Sequence, residues 1–129
     1  MKRNSSVLII MVVLIGFFLL QGNLPVPGNE IQGSFYKSDV KTVIDNKCYG
    51  CHSVKGKSQD AKDALMWDSL PGISTRKIVA TLDEVIEVLE KNDMPPEETV
   101  KKFPQMALAE DEKKILLSWA KAKADSLIN

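Results

Sequence analysis

The sequence is short of the residues that bind soft metals, with one histidine and two cysteines among 129 residues. Two cysteines separated by two residues would close almost no loop, which excludes a fold held together by several disulfides. The chain also lacks an excess of either charge, since its formal net charge is zero. No basic patch interleaved with aromatic residues is present, and such a patch is typical of nucleic-acid binders. We therefore expect no nucleic-acid partner.

The N-terminus contains the chain's long apolar run. Lys2 and Arg3 precede fourteen residues without a polar side chain, VLIIMVVLIGFFLL (7–20). Such a run spans about 21 Å as a helix, which is short for a membrane span and typical of a signal-peptide core. The pattern predicts export, with residues 1–22 as a signal peptide or an N-terminal membrane anchor. We expect the protein in the periplasm, or associated with the membrane on the outer face of the cytoplasmic membrane.

The rest of the chain predicts a linker and one domain. Residues 23–35 are rich in Gly, Pro and polar residues, as linkers are, and residues 36–129 are enough for a single domain. Apolar residues recur at helical spacing in four segments, and no alternating stretch predicts a strand. The expected fold class is all-α. The predicted helices cover residues 39–47 with Ser38 as N-cap, 61–70, 75–92 with Ser74 as N-cap, and 108–127.

The stretch CYGCH, from Cys48 to His52, contains both cysteines and the only histidine. Four interpretations compete: covalent haem attachment, a redox-active dithiol, half of a zinc site, and coincidence. A closed zinc site needs four ligands, and the chain has no further Cys or His to supply the fourth. A redox-active dithiol motif is expected beside a βαβ pattern, and the sequence predicts no strand. Cys-x-x-Cys-His is the signature of c-type haem attachment. We predict one haem c, attached through thioethers at Cys48 and Cys51, with His52 as an axial ligand of the iron.

The second axial ligand is predicted to be a methionine. Met1 and Met11 belong to the targeting segment, and Met66 and Met106 have the apolar surroundings of core residues. Met94 precedes two prolines, and a residue before proline is restricted to extended conformations. A thioether on such a rigid turn needs little ordering to bind iron. We therefore predict Met94 as the sixth ligand.

Histidine–methionine ligation predicts an electron carrier. Both axial positions of the iron are filled, and this ligand pair raises the reduction potential. We expect redox partner proteins, no small-molecule substrate and no enzymatic activity. Several other residues are candidates for smaller roles. These are Lys47, Lys55 and Lys57 for docking an acidic partner, Trp67 and Arg76 for binding haem propionates, and the carbonyl near Pro71 as acceptor for the His52 ring.

The order of motifs CYGCHS…LMWDSLPGIS…MPPEE…EKKILLSWA resembles the small single-haem c-type cytochromes, and most closely the exported haem-binding-domain family of bacterial proteins. The resemblance covers roughly residues 36–123. It implies a small helical bundle around one covalently attached haem, with the first and last helices packed on each other. The usual proline soon after the attachment histidine is absent here. The function implied is single-electron transfer, and the alternatives are a haem-based ligand-binding or sensor domain with a displaceable methionine, or a haem-free dithiol oxidoreductase.

Overall fold

The computed structural model describes residues 35–129, and in this range the chain is helical without a strand. This confirms the predicted all-α class. The predicted targeting segment 1–22 and nearly all of the predicted linker lie outside the described residues. No helix within 35–129 has the length and apolarity to cross a membrane. The α-helices are α1 Ser38–Val43, α2 Gln59–Ala64, α3 Thr75–Glu90, α4 Glu97–Lys102 and α5 Glu110–Ile128; a π-helix Ile44–Cys48 continues α1, and 3₁₀ turns cover Leu70–Gly72 and Pro104–Met106.

Several predicted helix bounds were wrong. Ser38 was predicted as an N-cap but is the first residue of α1, whose N-cap is Lys37. The local sequence explains two further differences. The helix expected over 61–70 is α2, which starts earlier because the Ser58 side chain accepts a hydrogen bond from the Ala61 N–H at 3.2 Å. It also ends earlier, since Leu65 is already extended. The segment after the two prolines was expected to be a loop but forms α4. Pro96 is its N-cap, and acidic residues in its first turn and lysines in its last complement the helix dipole.

The core lies mainly between α3 and α5, which make the most extensive contact between helices. The apolar stripe of α3 faces small and large apolar residues of α5, as the helical spacing predicts. The π-helix and α1 add Val40, Val43 and Ile44 to the same core, so the first and last helices pack together as the resemblance implies. The buried residues of α3 and α5 are Ile78, Leu82, Val85, Leu89, Leu116, Trp119, Ala120 and Ala124.

One end of this core is an aromatic cluster, which consists of Phe35, Tyr36, Trp67 and Trp119. Neighbouring rings lie 4.9–6.2 Å apart between centroids, within the usual range for aromatic pairs. The Tyr36 hydroxyl donates to the Trp67 carbonyl at 2.8 Å, and the Trp119 indole N–H donates to the Phe35 carbonyl at 3.3 Å. The cluster joins the start of the described chain to α5 and places Trp67 at the boundary of the core.

Helix α3 ends in a turn that leads directly to Met94. Asn92 has a φ of 58°, and the Asp93 N–H donates to the Val88 carbonyl at 2.9 Å. A left-handed residue with this bond forms a Schellman motif, which stops the helix and reverses the chain. Lys113 of α5 donates to the Asn92 side-chain oxygen at 2.6 Å. The position of Met94 is therefore determined by the end of α3 and by a contact with α5.

Candidate cofactor site

A cavity of about 440 Å³ lies between the end of the π-helix, α2, α3 and the chain around Met94. Its volume is within the range of about 300–1,000 Å³ for small-molecule sites. Cys48, Cys51, His52 and Met94 all line it. The structure therefore brings together the four residues that the sequence predicts as haem attachment sites and ligands. The rest of the wall is largely apolar and includes Leu65, Val85, Val88, Leu89, Leu108 and Leu116.

The attachment segment (residues 48–52) is a tight turn at the end of the π-helix. The N–H groups of Cys51 and His52 both donate to the Cys48 carbonyl, at 3.1 and 3.0 Å. This turn holds the two thiols and the imidazole on one wall of the cavity. Both thiols are free and half-buried.

Burial and nearby negative charge make Cys48 a poor thiol nucleophile. Desolvation, followed by the charges of Cys51 and Glu112, raises the pKa of the Cys48 thiol to about 12. A redox-active dithiol needs a thiolate with a lowered pKa, and the raised pKa of Cys48 is the opposite of this requirement. The zinc interpretation has no support from the structure. Residues 35–129 contain no group of three His, Cys, Asp or Glu side chains placed to hold a metal ion.

The His52 ring is oriented by a backbone carbonyl. Its Nδ1 lies 3.0 Å from the Leu65 carbonyl oxygen. Since a carbonyl oxygen only accepts, Nδ1 carries the proton, and Nε2 keeps the lone pair that a metal requires. The predicted acceptor near Pro71 was wrong. The chain is extended at Leu65 and runs beside His52, whose own carbonyl accepts the Trp67 N–H at 3.0 Å, whereas Pro71 lies in a separate 3₁₀ turn.

Asp68 ties the attachment segment to the loop that follows it. Its carboxylate accepts hydrogen bonds from the Tyr49 hydroxyl and from the Val54 N–H, the latter at 2.7 Å. The bond to Asp68, followed by burial and by the charges of Asp68 and Asp45, raises the pKa of Tyr49 to about 12. The role of Asp68 could not be predicted from the sequence, because nothing in its spacing relates it to the motif.

Gly56 closes the same loop by a close approach of backbone to backbone. A Cβ added to Gly56 would lie 2.1 Å from the Cys51 carbonyl oxygen and 2.9 Å from that of Ser53. The Gly56 N–H donates to the Ser53 carbonyl at 2.8 Å. The loop can therefore fold back onto the attachment segment only with glycine at this position.

Two methionines line the cavity, one more than predicted. Met94 does so together with Pro95 and Pro96, and 36% of its surface is exposed. Met106 also lines the cavity and is not among the core residues, so its interpretation as a core residue was wrong. Met66, also predicted as core, is half-buried and belongs neither to the core cluster nor to the cavity wall.

The two predicted propionate-binding residues have different positions. Trp67 lines the cavity, and its buried indole N–H has no hydrogen-bond partner in the part of the chain that the structure describes. A buried donor without a partner costs about 1–3 kcal/mol, which an acidic group of a bound cofactor would offset. Arg76 is exposed at the start of α3 and does not line the cavity. The structure therefore does not support the prediction for Arg76.

The three lysines close to the Cys48–His52 motif differ in their exposure and contacts. Lys47 lines the cavity, and its ammonium group lies 2.9 Å from the carbonyl oxygens of both Gln105 and Ala107. An ammonium group engaged in this way is not a free charge for docking a partner. Lys55 and Lys57 are exposed.

The haem-binding domain family matches residues 54–122, which is 69 of the 129 residues. The match begins two residues after His52 and includes Leu65, Trp67, Met94 and Met106. No curated protein and no solved structure gives a significant match. The residues of the cavity fit the cofactor, because they supply an oriented imidazole, thioethers, apolar side chains and an unpaired N–H donor. The chain therefore belongs to the haem-binding domain family and is a haem-binding protein.

Proposed function

We propose that this haem-binding protein is an exported monohaem c-type cytochrome that carries single electrons between redox partner proteins. The observation that supports this most is the wall of one cavity, where Cys48, Cys51, His52 and Met94 occur together. The imidazole there already has its Nδ1 proton engaged by the Leu65 carbonyl. A ring held in this way is typical of histidines that bind metals.

In this proposal the two cysteines attach the cofactor covalently. Cys48 and Cys51 would hold the cofactor, since each S–H could add across one vinyl double bond of a haem without an oxidant. The turn at Cys48 is closed by backbone hydrogen bonds, and both cysteines line the same cavity as His52. Attachment through thioethers also removes two half-buried thiols that would otherwise remain in the cavity wall.

The axial ligands proposed are His52 and Met94. Bound haem supplies a one-electron couple, and ligation by nitrogen and thioether favours its reduced form. If both His52 and Met94 held the iron, no position would be left for a substrate, so we propose a carrier and not an enzyme. Exposed Lys55 and Lys57, beside the attachment segment, are the charges proposed to steer an acidic partner.

A second candidate function is a ligand-binding or sensor domain in which Met94 is displaced from the iron. One observation favours it, because Met94 is 36% exposed and belongs to a loop outside the core. An exposed weak ligand is easier to displace than a buried one. The two candidates differ in whether Met94 stays on the iron.

The test is the absorption spectrum of the holo-protein, with Met94→Ala compared with Met106→Ala. Both residues line the cavity, so Met106→Ala controls for the loss of a methionine side chain there. We expect a six-coordinate low-spin spectrum with a methionine–iron charge-transfer band in the oxidised wild type. Met94→Ala should lose this band and lower the reduction potential, and Met106→Ala should keep the band.

A five-coordinate wild type, or a Met94→Ala spectrum identical to wild type, would remove Met94 from the iron. The ligand-binding or sensor function would then be the better proposal. A colourless protein purified from an export-competent host would contradict both.

A further inference from the structure

Lys47 connects two segments of the cavity wall that are far apart in sequence. It lies in the π-helix directly before Cys48, and only 17% of its side chain is exposed. Its ammonium group donates to the carbonyls of Gln105 and Ala107 at 2.9 Å each. The Glu112 carboxylate lies 3.5 Å away. A half-buried lysine with three acceptors differs from a lysine that serves only for solubility.

The two carbonyls that Lys47 binds are on either side of Met106. We call residues 104–107 the Met106 segment. The backbone bonds of this segment are short-range, from the Met106 N–H to the Phe103 carbonyl at 2.9 Å and from the Ala107 N–H to the Pro104 carbonyl at 3.1 Å. Apart from half-buried Met106, its side chains are exposed. A segment with few buried contacts and only local bonds is expected to open easily.

The hydrogen bonds of Lys47 connect the Met106 segment to a distant part of the chain, which its local bonds do not do. Hydrogen bonds from an ammonium group to carbonyls are charge-assisted and stronger than bonds between neutral groups. They join the Met106 segment to the segment that contains Cys48. Glu112 is placed to hold the ammonium group, and it also accepts the Ala109 N–H at 2.9 Å at the start of α5.

We propose that Lys47 is a positioning residue that holds the Met106 segment against the attachment segment and so limits the access of water to the haem. The inference rests on the proposed function, since it assumes haem in this cavity. Water stabilises the additional positive charge of the oxidised iron. Loosening this wall should therefore lower the reduction potential.

The test compares Lys47→Met with Lys55→Met in the holo-protein. Both substitutions remove one positive charge close to the attachment segment, but Lys55 is exposed and does not line the cavity. We expect amide hydrogen exchange at Met106 and Ala107 to be at least about tenfold faster in Lys47→Met, because two charge-assisted bonds are lost. The reduction potential should fall further in Lys47→Met than in Lys55→Met. Lys47→Arg, which keeps the charge and several donors, should restore most of both properties.

Equal exchange and equal potentials in Lys47→Met and Lys55→Met would show that Lys47 acts only as a charge and would overturn the proposal. If Lys47→Met gives no holo-protein, Lys47→Gln replaces it, because its amide keeps a donor without the charge. Faster exchange at Met106 in Lys47→Gln than in Lys47→Arg supports the proposal, and equal exchange overturns it. The Met94→Ala spectrum tests the proposed function separately, because the spectrum reports the ligands of the iron, whereas the comparison of Lys47 variants reports the bonds that hold the Met106 segment.

Discussion

The two tryptophans of this chain are equally buried but differ in how their N–H groups are used. Trp67 and Trp119 are each 4% exposed. The Trp119 N–H donates to the Phe35 carbonyl, whereas the Trp67 N–H has no partner within residues 35–129. Buried polar groups are normally paired, so an unpaired donor on a cavity wall indicates a missing partner. The described chain thus pairs the Trp119 N–H by itself and leaves the Trp67 N–H unpaired, so we predict that the cofactor supplies its acceptor.

The core side and the cavity side of the molecule differ in the same way, since the first is completed by the chain's own contacts and the second is not. On the core side, α3 and α5 pack directly, and the Tyr36 hydroxyl finds the Trp67 carbonyl. On the cavity side, thiols, an imidazole and thioethers surround a space of about 440 Å³. A domain of about 100 residues has little stability to spare, so we predict that a cofactor bound in this space adds to the stability of the fold. Substitutions on the two sides should therefore have different effects on folding and on haem binding.

The largest effect is expected from Cys51→Ala, which removes one of the two proposed attachment sites of haem on the cavity side. The free energy of unfolding should fall by more than about 2.7 kcal/mol, which is the stabilisation from a ligand present at a hundred times its Kd. Denaturant unfolding and resistance to proteolysis measure this loss. Amide exchange gives an internal control, because amides of the cavity wall should lose more protection than those at the α3–α5 contact. A well-folded, protease-resistant Cys51→Ala protein without haem would contradict the prediction.

The second largest loss of stability is expected from a substitution in the loop that folds back onto the attachment segment. In Gly56→Ala, the new methyl group would lie 2.1 Å from the Cys51 carbonyl oxygen, so the backbone must move. We expect a loss of about 1–3 kcal/mol in the free energy of unfolding of the holo-protein, as for other overpacked sites.

Gly50→Ala is the matched control, because a Cβ at Gly50 meets nothing within 4 Å although the residue lies within the motif. Its effect should stay within about 0.5 kcal/mol, as for most substitutions without a packing consequence. Equal midpoints of denaturant unfolding for the two variants would show that the loop relaxes without cost.

The parts of the site that could be predicted from the sequence are those with a local signature. Cys48, Cys51 and His52 are contained in five residues, and the proline after Met94 restricts that residue wherever it lies in the fold. These local patterns identified Cys48, Cys51, His52 and Met94, which all line the cavity. The all-α class could be predicted for the same reason, because helical spacing is a property of short segments.

The contacts that orient these residues could not be predicted, because they join distant segments. Leu65 follows His52 by 13 residues, and Gln105 follows Lys47 by 58. Which carbonyl meets which side chain depends on how α2, the π-helix and α5 pack. Met106 illustrates the same limit, since apolar neighbours in sequence suggest the core as readily as a cavity wall. The missed helix α4 had a visible signal, because proline is favourable at a helix start.

The smallest expected effect compares the two tryptophans directly. Trp119→Phe removes a satisfied hydrogen bond and should lower the free energy of unfolding by about 0.5–1.5 kcal/mol, without changing the vibrations of the haem propionates. Trp67→Phe removes the unpaired donor, which we predict binds a propionate in the holo-protein. It should shift the propionate bending modes in resonance Raman spectra and lower the reduction potential, since an anionic group near the iron loses its donor. If both variants leave the propionate modes at the wild-type frequencies, the Trp67 N–H has another partner, and its unpaired state is not a mark of the cofactor.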